Sequence, residues 1–127
     1  MGGNLVLDAG ALIALERGSE MMLALTEYAD ERGDGPVIPA SVLAQVWRGG
    51  PKAARLAKLL EVAEVDSLDE DRGREIGARL GARVSNDVVD AHVVCCAIKR
   101  KAVVLTSDPG DIEALTGPEE VVQILPT

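Results

Sequence analysis

Aromatic side chains are nearly missing from this 127-residue chain, which has one Trp, one Tyr and no Phe, 2% in all. A core must then be built from Leu, Val, Ile and Ala, and an apolar content of 47% supplies them. No apolar run approaches the ~20 residues that span a bilayer, so no membrane is expected as a partner. The opening stretch Met1-Gly-Gly-Asn-Leu5 lacks the basic region of a signal peptide, and a cytoplasmic location is expected. The two cysteines, Cys95 and Cys96, are adjacent in a helical pattern where neighbouring side chains diverge. No disulfide is expected, which suits a reducing compartment. With one histidine, His92, zinc ligation has little support. A net charge of −8 excludes broad electrostatic capture of nucleic acid, though not a local basic strip beside a metal-neutralised acidic centre. Low-complexity tracts, repeats and linkers are also absent, so residues 1–127 read as one domain. A chain of this length buries roughly two-thirds of its unfolded surface, enough for a core without staples.

Short apolar runs alternate with longer helical patterns, the signature of a parallel sheet with helices on both faces. Strands are expected near 4–8, 36–38, 62–66, 102–106 and 121–125. Helices are expected near 10–17, 20–32, 40–48, 51–61, 69–82 and 87–100, with a short turn near 109–115. Gly33-Asp34-Gly35-Pro36 and Gly49-Gly50-Pro51 mark boundaries, and Pro39 suits a first helical turn. Ser85 or Asn86 is placed to cap the helix that follows.

Acidic residues sit where such a sheet places ligands, at the carboxyl ends of its strands. Asn4-Leu-Val-Leu7 runs into Asp8, and Ala102-Val-Val-Leu105 runs through Thr106 and Ser107 into Asp108. Asp87 and Asp90, three residues apart, project together from one helical turn. Carboxylates gathered there repel by about 4 kcal/mol per close pair at an effective dielectric near 20. A divalent cation relieves that repulsion, and Mg²⁺ or Mn²⁺ prefers such hard oxygen ligands.

Four segments occur in order: Asp8-Ala-Gly-Ala-Leu-Ile-Ala-Leu15, Pro39-Ala-Ser-Val-Leu-Ala-Gln-Val-Trp-Arg48, Asp87-Val-Val-Asp-Ala91 and Thr106-Ser-Asp108. Together they resemble the PIN-domain nucleases, most closely the VapC-type toxin ribonucleases, over essentially the whole chain. The resemblance implies a three-layer α/β fold with a five-stranded parallel sheet. It also implies a pocket that binds Mg²⁺ or Mn²⁺ and hydrolyses RNA phosphodiesters with a metal-activated water. On its motif positions Asp8, Asp90 and Asp108 are the catalytic, metal-binding acids, and Asp87 is an additional ligand. Further implied are a cognate antitoxin protein that wraps the toxin and a homodimeric toxin. One position departs from the pattern, because Gln45 stands where the family usually carries a glutamate. The amide keeps an oxygen but loses a charge, so one firm metal site and a weaker second are expected.

Each residue also has a bland account. Asp87 can cap or favour its helix dipole, and Asp108 before Pro109 fits an N-cap. Asp111 reads as a first-turn helix acid. Gln45 is either a retuned ligand or a polar helix-face residue. Ser41 and Thr106 can orient water or bond locally to backbone. His92 points away from Asp90 and reads as structural. Arg48, Lys52 and Arg55 form either a solvated face or a strip for RNA phosphates. The competing functional class is a catalytically weak or inactive PIN-like module that binds RNA or a partner protein.

Overall fold

A computed structural model describes residues 5–33 and 35–127; the expected strand start at Asn4 and the turn residue Asp34 lie outside them. Five strands form one parallel sheet: β1 (Leu5–Leu7), β2 (Val37–Pro39), β3 (Glu64–Asp66), β4 (Val103–Thr106) and β5 (Gln123–Pro126). Their order is β3-β2-β1-β4-β5. The chain winds outward from β1 to β3, then returns to the far side of β1 to lay down β4 and β5. The topological switch therefore falls between β1 and β4, where open α/β sheets leave a crevice at their carboxyl edge.

The connecting helices are α1 (Ala9–Glu16), α2 (Glu20–Arg32), α3 (Ala40–Val46), α4 (Ala54–Leu60), α5 (Glu70–Arg83), α6 (Val88–Arg100) and α7 (Pro109–Ala114). The fold is three-layer α/β, as expected. The core is aliphatic: Val6, Leu7, Leu12, Leu15, Val37, Ile38, Val104 and Leu105 are essentially inaccessible. Helix α6 is the most deeply embedded, with every residue from Ala91 to Ala97 buried. It packs against α3, α5, α7 and three strands. Its burial extends well beyond the single apolar stripe that its periodicity suggests.

Several boundaries differ from expectation for local reasons. Helix α3 ends at Val46 because Trp47 turns extended and Gly49 and Gly50 take φ of 75° and 72°. Pro51–Ala53 is a 3-10 turn, which delays α4 to Ala54. The amides of Val62 and Ala63 bond back to Leu59 O, so β3 starts later than 62. β5 is shifted by pairing with β4, Val103 opposite Gln123 through Thr106 opposite Pro126.

Candidate active site

The register Leu5–Val103, Val6–Val104, Leu7–Leu105 places Asp8 beside Thr106 at the switch point. The Asp8 amide donates to Leu105 O at 3.0 Å, which holds the two strand ends together. Asp8 is only 5% exposed, so both of its carboxylate oxygens need partners. Oδ1 accepts from the Ala9 amide at 2.6 Å and so caps α1. Oδ2 accepts from the buried Thr106 hydroxyl at 2.6 Å. The same hydroxyl accepts from the Asp108 amide at 3.0 Å, giving a chain Asp108 N–H to Thr106 to Asp8. Gly10 permits this junction, since a Cβ there would lie 2.1 Å from Ser107 Oγ.

The helix acids approach from α6. Asp87, rather than Ser85 or Asn86, is the N-cap, and its Oδ1 accepts from the Asp90 amide at 3.0 Å. Ser85 instead accepts from the Asp87 amide. The half-buried Asp90 carboxyl is pushed up to about 7. Burial is the largest cause, followed by a hydrogen bond with Asp87 and the negative charges of Asp87, Asp8 and Asp111. Acids from β1, α6 and α7 thus share one electrostatic field. Asp111 is the first-turn acid of α7, as expected, and also belongs to this field; its spacing of three from Asp108, matching that of Asp87 and Asp90, was the available signal. Asp108 is exposed and caps α7 by position only, without a side-chain bond.

None of these five carboxylates has a salt-bridge partner among the described residues. An oxygen-only, uncompensated acidic set matches the chemistry of a hard divalent cation. Among the described residues, however, no three Asp, Glu, His or Cys side chains converge closely enough to hold a metal ion. Asp8 and Asp87 each turn one oxygen to their own helix caps.

The remaining sequence candidates are spread around the neighbouring helices. Gln45 is exposed on α3 and makes no side-chain hydrogen bond among the described residues. Arg48 folds back on the end of α3, donating to Ala44 O and Trp47 O. Lys52 and Arg55 line a groove with Ile13, Glu16 and Arg17.

Another strand-end acid, Asp66 on β3, has a different fate. Arg72 grips it through Nε at 2.9 Å and Nη2 at 3.0 Å, and Arg100 Nη2 lies at 3.1 Å. His92 Nε2 donates to it at 2.8 Å, while Nδ1 meets the Ser41 hydroxyl at 2.8 Å. His92 is therefore structural, fastening α6 to α3 and β3. Arg100 also pairs with Glu64, so it serves more than the helix dipole.

In comparison with known protein families, the PIN domain matches residues 5–115. No curated protein matches the chain.

Proposed function

The chain belongs to the PIN-domain family, whose members are generally metal-dependent nucleases, and from that premise we propose a metal-dependent endoribonuclease that serves as the toxin of a toxin–antitoxin pair. The observation that carries the catalytic part is that Asp8 ends β1 at the β1–β4 switch point and that it, Asp87 and Asp111 bear their negative charge on Asp90, with no salt-bridge partner among the described residues. Asp8 and Asp90 would be the principal residues to hold Mg²⁺ or Mn²⁺, with Asp108 and Asp87 in support. When bound, the ion lowers the pKa of a water and neutralises charge at the phosphate. The Thr106 hydroxyl and the Ala9 amide hold the two oxygens of the buried Asp8 carboxylate in place at the strand end. The nucleophile is water, so the phosphorus–oxygen bond is exchanged without a covalent enzyme intermediate. The cognate antitoxin is a small protein that places a basic side chain among the same acids, and the toxin acts as a homodimer.

The test is cleavage of RNA by the purified protein in Mg²⁺ or Mn²⁺. Cleavage should stop with EDTA, and Asp8→Asn should reduce it to background, at least about 10²-fold, more than the loss of a supporting residue around a metal. Undiminished cleavage by Asp8→Asn would locate the activity elsewhere.

A second reading, a non-catalytic module that binds RNA or protein, draws on Gln45 and on the lack of three converging donors among the described residues. Calorimetry separates the two. Ligation at the acidic set raises the melting temperature with Mn²⁺ concentration as RT ln(1 + [L]/Kd), whereas the module shows no such rise.

A further inference from the structure

The buried side of α2 is Met22, Thr26 and Ala29, at i, i+4 and i+7. Two of these three side chains are short. Across from them Leu5 and Leu7, two residues apart on β1, share one face of the sheet, and Leu59 of α4 closes a side. The described residues leave a cavity of about 230 Å³ between them. Composition accounts for the gap. Phe is absent, and the two aromatic residues, Tyr28 and Trp47, are both exposed, so no ring fills this layer.

The buried wall of the cavity carries no charge. Leu7, Met22 and Leu59 are each 1% exposed, and the polar side chain among them is Thr26. Its Oγ1 donates to Met22 O at 2.8 Å, which commits the proton and leaves lone pairs that can only accept. The charged group on the lining, Arg32, stands at the exposed rim with its guanidinium 5.1 Å from the centroid of the Tyr28 ring.

Size and polarity define what fits. An apolar cavity of ~150 Å³ stays dry and takes up benzene. This one is half as large again, which gives room for a second fused ring. An ionised ligand is excluded, because the buried wall offers no counter-charge. A ligand with one donor is favoured, because Thr26 offers an acceptor where water is kept out.

We propose that the cavity between α2 and the sheet binds a neutral, fused two-ring aromatic molecule carrying one N–H. The N–H donates to Thr26 Oγ1, and the rings lie against Leu7, Met22 and Leu59. Such a ligand supplies the aromatic packing that the sequence withholds from its core. None of the five acids lines the cavity, so the site is independent of the nuclease reading.

The test uses the wild-type chain with indole as the probe. Carbon-13 methyl NMR compares Met22, on the cavity wall, with its exposed neighbour Met21. Indole should shift the Met22 methyl resonance saturably through its ring current and leave Met21 in place. The melting temperature should rise with indole concentration as RT ln(1 + [L]/Kd). Indene, which has the same outline without the N–H, should bind about fivefold more weakly, the share of one neutral hydrogen bond. Thr26→Val, which keeps the volume and removes the acceptor, should make the two ligands equal. Ala29→Leu fills the cavity from α2 and should abolish binding. No shift at Met22, or equal shifts at Met21 and Met22, overturns the site without recourse to any variant. Equal affinity of the wild-type chain for indole and indene overturns the role of Thr26 and with it the ligand class. Retained binding by a folded Ala29→Leu chain overturns the location.

Discussion

Asp8 and Asp66 both end strands of the same parallel sheet, two strands apart, and both are 5% exposed, yet their surroundings are opposite. Asp66 meets two guanidiniums and an imidazole. Burial alone would raise its pKa, but hydrogen bonds from Arg72, His92 and Arg100 outweigh that and hold it well below the usual carboxylate range. Asp8 meets only neutral donors, a backbone amide and the Thr106 hydroxyl. Burial, with the hydrogen bond to Asp87 and the negative charges of Asp87, Asp8 and Asp111, pushes Asp90 in the other direction, up to about 7. A carboxylate at a strand end is therefore not a site by virtue of its place. What marks a site is a deficit of positive charge that the fold itself does not fill.

The largest test of this contrast is Asp66→Ala. It leaves Arg72, itself 5% exposed, with only the half-exposed Glu75 in place of its two-pronged hold on Asp66, and removing one member of a buried pair costs about 3 kcal/mol at the low end. Urea unfolding at neutral pH should show that loss. Because the folded pKa of Asp66 is depressed, its contribution is present above its ordinary value of 3.8 and is lost as pH falls below that. The wild-type chain should thus lose stability steeply in acid, and Asp66→Ala should flatten that limb. A mild effect would mean that the two guanidiniums and the imidazole are satisfied without Asp66, and the contrast would disappear.

Asp90→Asn should have the opposite sign. A raised carboxyl pKa means that the folded state holds its proton more tightly than the unfolded state does. Stability then falls as pH climbs from about 3.8 to about 7. Removing that charge should stabilise the metal-free chain at pH 8 by on the order of 2 kcal/mol, after allowing for partial exposure, and should change little at pH 3. The measurement is thermal unfolding in EDTA across that range. Destabilisation at pH 8 would show that ionised Asp90 is already compensated.

These two clusters explain what could be read from the amino acids. Strand and helix order follows from local periodicity, so five strands and their connecting helices are visible in the sequence, and so are the acids at 8, 87, 90 and 108. The difference between Asp8 and Asp66 is not local. Arg72, His92 and Arg100 reach Asp66 from 6, 26 and 34 residues away, on two helices whose packing no short window encodes. A strand read as 62–66 and ending in an aspartate looks the same as one read as 4–8. The same limit hid Arg17, which joins Lys52 and Arg55 only because α1 packs on α4. Capping was legible in kind, since Ser85, Asn86 and Asp87 are all competent, and only the fold decides in favour of Asp87.

Thr106→Val gives the smallest effect and probes the neutral side of the contrast directly. Valine keeps the volume of the buried side chain but removes the hydroxyl that donates to Asp8 Oδ2 and accepts from the Asp108 amide. A hydrogen bond to a charged group contributes about 1.5 kcal/mol at the low end, and a loss of that size is expected in urea unfolding. The same change should weaken Mn²⁺ binding about tenfold by calorimetry, because an acid released from its orienting partner is less well prepared to ligate. Ser41→Ala, which touches the Asp66 cluster only through His92, should leave Mn²⁺ affinity unchanged. If Thr106→Val lowers stability but not Mn²⁺ affinity, Asp8 is merely the cap of α1, and the two strand-end acids differ in their partners but not in their use.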